Sequence, residues 1–251
     1  MTTCQNEASN LKRQGTDGAP SSSAGATVDR SAEGEDVWGA LAGGYDAWYE
    51  TPLGVVVGSC ERKLLVRLSG RLRGARVLEV GVGTGYFGAW LAALGAQVVG
   101  VDLSMPMLRQ AQAKGLPVGL LRADAGALPL AAGSFDVACT VTMLEFVPEP
   151  RRALDEMWRT LRPGGRMVVG VLNARSPWAE RREPPFDRAH YYTPLELGRL
   201  LAPYGRVHLR STVFFRPNGR LLRWARVLER LGQACGWLNG ALLMAAVGKA
   251  T

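Results

Sequence analysis

The sequence is poor in the residues from which proteins build metal centres and disulfide frameworks. Its 251 residues include two histidines and four cysteines. The cysteines are far apart and form no close pairs of the kind that zinc sites use; they are Cys4, Cys60, Cys139 and Cys235. We therefore predict free thiols in a reducing compartment and no metal site.

Long apolar runs are absent as well. No stretch approaches the roughly 18 consecutive apolar residues that a membrane-spanning helix requires. Residues 1–13 lack the apolar segment of a secretory signal. The composition, 47% hydrophobic and 21% charged, is that of an ordinary globular protein with one sizeable core. We expect a cytoplasmic location.

Acidic residues are outnumbered, since 30 Lys and Arg against 22 Asp and Glu give a net charge of +8. Such charge is compatible with nucleic-acid or membrane contact. The sequence contains no recognisable RNA-binding module and no basic groove interleaved with aromatics, so we do not expect nucleic-acid binding. The positive charge is concentrated between Arg206 and Arg230, where seven arginines face a single acid, Glu229.

The first 35 residues contain almost no large aliphatic side chains and no aromatic ones. Such a stretch buries too little apolar area to offset its ordering entropy, so we predict a disordered tail over residues 1–35. Aromatic residues begin at Trp38, and we place one folded domain at 36–251. Within it we expect an N-terminal lid or helix (36–74), a cofactor-binding core (75–172) and a substrate-side region with the C-terminal strands (173–251).

After residue 74, short β-branched runs alternate with helical patterns, which predicts a parallel sheet with crossover helices. The strands are expected near 75–80, 96–101, 118–122, 135–141, 166–172, 206–215 and 241–248. The helices are expected near 55–68, 86–94, 104–114, 150–161 and 194–203. Ser104 is a plausible N-cap, and Arg162 to Gly165 predict a turn just before the fifth strand.

The most informative segment joins the first strand to the first helix after it. It reads Glu79-Val80-Gly81-Val82-Gly83-Thr84-Gly85. Glycines at every second position let the backbone turn sharply and approach a ligand. A dinucleotide fingerprint would need its third glycine at Tyr86, so a pyrophosphate-binding loop is not indicated.

Carboxylates close the next two strands. Asp102 follows the glycine loop by about twenty residues, the spacing expected of a group that binds ribose hydroxyls. Asp124 ends the third strand, where it could accept a hydrogen bond from an adenine amino group. Each aspartate alone is as well explained as a helix cap. Together with the glycine loop, in the order in which they occur, they favour a nucleoside-containing cofactor.

These motifs resemble those of class I S-adenosylmethionine-dependent methyltransferases, in particular the type 11 family. The resemblance runs from Tyr45 to Lys249 and includes the Tyr45–Trp48, Ala123–Leu130, Leu144–Pro148 and Leu161–Arg166 segments. It implies an α/β fold: a Rossmann-like, doubly wound, seven-stranded and mostly parallel sheet with an antiparallel last strand. It also implies S-adenosyl-L-methionine as cofactor and a methyl acceptor that is a small molecule.

The resemblance further implies roles for particular residues. Asp102 would bind the ribose, Asp124 and Ala125 the adenine, and Tyr45 the methionine carboxylate. The complete set expected to contact the cofactor is Tyr45, Glu79, Gly81, Gly83, Gly85, Asp102, Leu103, Asp124, Ala125 and Thr140. Many relatives carry paired histidines where this chain has Glu145-Phe146, which leaves the substrate class open.

The acceptor side is less clearly marked in the sequence. His190 is a candidate general base because it follows the fifth strand and an imidazole titrates near neutral pH. It is equally interpreted as packing against the helix at 194–203. The residues predicted to line the substrate pocket are Trp48, Glu145, Trp178, Tyr191 and Tyr192. Nothing in the sequence identifies the methylated atom, the acceptor or the oligomeric state.

The arginine-rich stretch from Gly219 to Leu231 predicts an amphipathic helix. Its arginines share one face, and Leu221, Trp224, Val227, Leu228 and Leu231 occupy the other. It is interpreted either as a surface helix on the sheet edge or as an interfacial helix that meets a membrane. Two further functions stay open, an RNA or protein methyltransferase and a non-catalytic cofactor-binding protein. The Asn/Asp-Pro-Pro-Tyr/Phe signature of many amine methylases is absent after the fourth strand.

Overall fold

The structure is a computed structural model that describes residues 37–115, 118–180, 183–220 and 222–251. The tail predicted at 1–35 and the side chain of Leu221 therefore lie outside the described residues. In the described part of the chain, no helix has both the length and the apolar character needed to cross a membrane.

Seven strands form one sheet in the order β3-β2-β1-β4-β5-β7-β6. Their bounds are β1 Arg76–Val80, β2 Gln97–Asp102, β3 Val118–Arg122, β4 Phe135–Val141, β5 Leu161–Leu172, β6 Val207–Thr212 and β7 Leu242–Gly248. Neighbouring strands from β3 to β5 pair in parallel. β7 runs antiparallel to both β5 and β6. The predicted fold class is confirmed.

Residues 37–41 are helical, and seven further α-helices lie wholly within the described residues. Their bounds are α1 Ala47–Glu50, α2 Pro52–Ser69, α3 Tyr86–Ala93, α4 Met105–Ala113, α5 Pro150–Thr160, α6 Pro194–Leu201 and α7 Ala225–Cys235. Side-chain caps fix several of their first turns. Ser104 accepts a hydrogen bond from Met107 N as predicted, and Thr193 forms a capping box with Glu196.

The helices bury apolar residues on both faces of the sheet, as a doubly wound fold requires. On one face, Leu154 of α5 and Leu197 of α6 join a core cluster with residues of β4, β5 and β7. On the other, Leu65 of α2 and Leu91 of α3 pack against the opposite sides of the same strands. Helices therefore cover both faces of the sheet, and a ligand can reach the strands only at their ends.

The fifth strand begins earlier than the sequence predicts. The expected turn at Arg162 to Gly165 lies inside β5, and the pairing with β4 shifts between Phe135 and Val137. Lys249 N donates to the carbonyl of Gly165 at 2.8 Å, and Gly164 N donates to the carbonyl of Lys249 at 3.1 Å. These bonds to the chain's C-terminal residues keep the turn within the sheet.

Candidate active site

The carboxyl ends of β1 to β5 meet at one edge of the sheet, because these five strands are parallel. The strand order reverses between β1 and β4: β2 and β3 extend the sheet to one side, β5 to the other. Ligands of open α/β sheets bind in the crevice at such a switch. The glycine loop after β1 and the segment after β4 flank this crevice.

The glycine loop needs its glycines for two different reasons. Gly81, Gly83 and Gly85 have φ angles of +76°, +53° and +80°, a region that other residues rarely adopt. A Cβ at Gly81 would also lie 2.5 Å from the side chain of Met143. A Cβ at Gly83 would meet no atom within 4 Å. The backbone at Gly83 therefore borders open space that a ligand can enter.

Asp102 connects this loop to the end of β2. Its Oδ2 accepts a hydrogen bond from Gly83 N at 2.8 Å, and its Oδ1 accepts one from Ser104 N at 2.9 Å. Burial raises the pKa of the carboxyl, and the backbone hydrogen bonds partly oppose this. An ionised carboxylate has about four lone-pair sites. Asp102 thus keeps acceptor capacity for a ligand while it shapes the loop.

Glu79, at the start of the glycine motif, is a buried carboxyl whose Oε2 has no partner among the described residues. Burial raises its pKa to about 8, and the nearby charge of Asp102 adds to the effect. Gly88 on α3 makes room for this group, since a Cβ there would lie 2.6 Å from Oε2. A buried carboxyl oxygen without a donor suits a cationic or hydrogen-bonding part of a ligand.

Asp124 and its neighbours form the third part of this edge. Asp124 is exposed, and its Oδ1 accepts from Gly126 N at 2.8 Å. Ala125 is half-buried and packs against the main core. Leu103 is half-buried too, and its carbonyl accepts from Arg122 Nε at 3.0 Å. The structure therefore brings the predicted adenine-side residues next to Asp102.

A contact that the sequence analysis missed fastens the N-terminal segment to the glycine loop. Thr84 Oγ1 donates to Asp46 Oδ1 at 2.6 Å, and Lys114 forms an ion pair with Asp46. Lys114 Nζ also donates to the carbonyl of Thr84 at 2.6 Å. This contact places Tyr45, the residue before Asp46, beside the crevice. Burial raises the pKa of Tyr45, and a hydrogen bond with the Thr142 side chain opposes that shift.

The segment after β4 carries backbone strain. Thr140 is fully buried, and its hydroxyl has no partner among the described residues. Two residues further, Thr142 has a φ of +50°, which is rare for a β-branched residue. Its backbone N donates to the carbonyl of Gly170 at 2.9 Å, which helps hold this conformation. Strained backbone of this kind clusters at functional sites.

Aromatic rings cover the same segment. Trp38 packs edge-on against Phe146 with ring centroids 4.8 Å apart, and Tyr45 lies 6.2 Å from Trp38. Phe186 lies 6.2 Å from Phe146 and 6.5 Å from Trp38. We call these four residues the aromatic cluster. Trp38 and Tyr45 lie in the 36–74 region that the sequence predicts as a lid or helix. Phe146 was noted only as part of the Glu145-Phe146 pair, and nothing in the sequence indicated Phe186.

Glu145 lies directly beside the aromatic cluster. Its carboxyl is buried, and Oε1 accepts from Leu172 N at 2.6 Å. Oε2 has no partner among the described residues. Burial raises the pKa of Glu145 to about 8. Burial is the main reason that the pKa values of Tyr45 and Tyr192 are raised, and the charge of Glu145 adds to both shifts, so the three groups lie close together.

The remaining predicted acceptor-side residues are placed differently. His190 is exposed, with its ring 4.5 Å from that of buried Tyr192 and its backbone N bonded to the Glu145 carbonyl at 3.0 Å. Tyr191 is half-buried. Trp48 is 41% exposed. Trp178 donates from Nε1 to the Phe215 carbonyl at 2.7 Å and joins a separate small core.

Residues 78–169 match a family model described as a methyltransferase domain. This region extends from β1 into β5 and includes the glycine loop, Asp102 and Glu145. This region carries a methyltransferase domain, and the sheet around it is that of the class I S-adenosylmethionine-dependent methyltransferases. A solved methyltransferase from Thermotoga maritima, described as a possible histamine N-methyltransferase, has a TM-score of 0.68 and 25% identity to it. That similarity covers 85% of this chain and 99% of the other.

Two curated relatives add further comparisons. An uncharacterized protein of Mycobacterium tuberculosis is 34% identical over 197 residues, which are 75% of this chain and 65% of that protein. A demethylmenaquinone methyltransferase of Renibacterium salmoninarum is 40% identical over 112 residues. Those residues are 45% of this chain and 47% of that enzyme. The chain thus spans just under two thirds of the length of the Mycobacterium tuberculosis protein and about half of the length of the Renibacterium salmoninarum enzyme.

The residues of the methyltransferase domain fit its cofactor, S-adenosylmethionine. This molecule offers two vicinal ribose hydroxyls, an ammonium group and a flat adenine, and it carries no phosphate. Asp102 supplies acceptors for hydroxyl donors, and the unpartnered oxygen of Glu79 suits a positively charged donor. The open space at Gly83 allows close approach of the backbone. The individual contacts remain predictions.

Proposed function

We propose that this protein methylates a small, planar and largely apolar acceptor that loses a proton during the reaction. The observation that carries the proposal is the position of Glu145. A buried carboxyl with an unpartnered oxygen lies beside the aromatic cluster, at the carboxyl end of β4. Apolar rings and a single convergent polar group are typical of pockets for small molecules.

Bound S-adenosylmethionine supplies a methyl group on a sulfonium, which is already a good leaving system. The protein's contribution is then mainly to position the acceptor in line and to exclude water. Trp38, Phe146 and Phe186 provide flat apolar surfaces for the acceptor. The contact between Asp46, Thr84 and Lys114 holds the N-terminal segment that carries Tyr45 against the glycine loop.

Glu145 is proposed as the group that accepts the proton. A pKa of about 8 makes the ionised form of this carboxyl a stronger base than an ordinary carboxylate, and the share of Glu145 in that form grows as pH rises toward 8. Leu172 N holds one carboxyl oxygen, which leaves the other to face a donor. His190 is the alternative base. Its ring is exposed and packs edge-on against that of Tyr192.

The comparisons support an acceptor of this chemical class. Demethylmenaquinone methyltransferases of Renibacterium salmoninarum and Thermus thermophilus are among the relatives, although this chain spans less than half of each. Their names describe a lipophilic quinone substrate. The aromatic cluster of this chain would suit a ring of that kind.

Fractionated labelling tests the proposal. The purified protein is incubated with methyl-labelled S-adenosylmethionine and, separately, with an organic extract of cells, total tRNA and a protein extract. We expect label in the organic fraction, and loss of that label with Asp102→Ala. Label in tRNA or protein, or no transfer to any fraction by a protein that binds the cofactor, would contradict the proposal.

A further inference from the structure

Helix α7 carries two of its three large apolar side chains, Val227 and Leu231, on the outside of the protein. The helix begins at Ala225, after a short 3₁₀ turn at Leu222–Trp224, rather than at Gly219 as predicted. Four large apolar residues of this region are almost half exposed; they are Trp224 (49%), Val227 (45%), Leu231 (48%) and Trp237 (43%). A helix that merely covers the sheet edge would bury these residues.

The side of α7 that contacts the protein is instead its small-residue side. Ala225 and Gly232, seven residues apart, are buried. A Cβ at Gly232 would lie 2.4 Å from the ring of Phe214, so the glycine allows close packing. Leu228 contributes to the same small core. This packing fixes the rotation of the helix, and Val227 and Leu231 point outward as a result.

Arginines surround this exposed apolar strip. Arg216, Arg220, Arg223, Arg226 and Arg230 are all exposed. None of the ion pairs found among the described residues involves them. The single acid of the region, Glu229, is turned inward, where its carboxyl accepts from Thr212 Oγ1 at 2.8 Å and from Phe214 N at 2.9 Å. We call the four apolar residues and five arginines the arginine–tryptophan surface.

This surface belongs to the same end of the sheet as the methyltransferase site. β6 is parallel to β5, because both are antiparallel to β7. The chain therefore leaves β6 at Thr212 and enters β7 at Leu242 on the edge that holds the glycine loop and Glu145. Residues of α7 share their small core with Val57 of α2 and with Trp178, which follows β5.

We propose that the arginine–tryptophan surface docks the protein on an anionic lipid bilayer. Trp224, Val227 and Leu231 would enter the boundary between headgroups and acyl chains, and the arginines would bind lipid phosphates. A second copy of the chain is a poorer occupant, because a two-fold contact would bring arginines against arginines. Nucleic acid would satisfy the arginines but would leave Val227 and Leu231 without apolar partners. The inference rests on the proposed function in that a lipophilic acceptor would be found in such a bilayer.

Vesicle binding by the full chain tests this inference without any methyl acceptor. Flotation is measured with phosphatidylcholine vesicles and with vesicles of equal parts phosphatidylcholine and phosphatidylglycerol. We expect at least tenfold tighter binding to the anionic vesicles, together with a blue shift of tryptophan fluorescence. Val227→Ser with Leu231→Ser, and separately Arg223→Gln with Arg226→Gln, should each reduce binding at least tenfold.

The controls are exposed residues away from this surface. Leu195→Ser, at an apolar position on α6 that is 55% exposed, and Arg109→Gln on α4 should leave vesicle binding unchanged. Absence of binding to anionic vesicles, or equal losses in the control variants, would overturn the inference. So would a dimer abolished by the Val227/Leu231 substitutions, or preferential binding of RNA. Failure of vesicle binding with label still transferred to the organic extract would refute the docking alone and leave the proposed function intact.

Discussion

At the scale of single residues, Asp102 has two functions that one substitution can remove together. Its carboxylate holds Gly83 N and Ser104 N, and it is the predicted ribose ligand. Asp102→Ala should weaken S-adenosylmethionine binding by about 2 kcal/mol or more, as expected when charge-assisted hydrogen bonds are lost. Calorimetric titration measures the affinity. Asp124→Ala, at an exposed position, should cost less, and unchanged affinity in a folded Asp102→Ala protein would refute the assignment.

Glu145 and His190 can be distinguished as bases by the pH dependence of turnover. If Glu145 accepts the proton, kcat/KM should rise with pH and level off above an apparent pKa near 8. Glu145→Gln should lower kcat at least a hundredfold and remove this dependence, while cofactor affinity stays within about twofold. His190→Ala should then change kcat little. A pH dependence that only His190→Ala removes would instead assign the role to His190.

Residue spacing explains which parts of the site were predictable. The glycine loop and Asp102 are recognisable because a local turn and a strand end each fix a short pattern. Asp46, Thr84 and Lys114 were missed because their contact joins positions 38 and 30 residues apart. The burial of Glu145 could not be predicted from the sequence, which placed this residue in the pocket from its position alone. Its unpartnered carboxyl oxygen could be recognised only after β5 was placed beside it.

At the scale of elements, the period of apolar residues predicted where most strands and helices lie in the chain. It did not predict which side chains of an element are buried. β1 to β4 lie within a residue or so of the predicted bounds. β5 extends through a predicted turn because partners near the C-terminus complete its hydrogen bonds. In α7 the predicted apolar face is divided, because Leu228 packs on the protein whereas Val227 and Leu231 are exposed. The packed face is set by Gly232 against Phe214. Contacts between distant segments decided both differences.

At the scale of the whole molecule, three buried glutamates link folding to pH. Burial raises the pKa values of Glu61, Glu79 and Glu145 to about 8. An unfolded chain ionises such carboxyls near pH 4.3. Between these values the folded protein binds more protons than the unfolded chain. The contribution of these three carboxyls to the free energy of unfolding therefore falls as pH rises from about 5 to 8, the reverse of the usual behaviour of paired carboxylates.

Glu61 on α2 is the best position at which to test this linkage, because it belongs to neither the glycine loop nor the segment after β4. It is 8% exposed, and its Oε2 has no partner among the described residues. In the wild type, Glu61 should make the free energy of unfolding fall by up to about 1.4 kcal/mol for each pH unit between its two pKa values. Glu61→Gln should remove this contribution to the slope. The variant should thus be more stable than the wild type at pH 8 and similar to it near pH 4.5. Urea unfolding at several pH values, with exposed Glu50→Gln as control, gives the measurement; a slope that Glu61→Gln leaves unchanged would show that this carboxyl is already ionised in the folded protein.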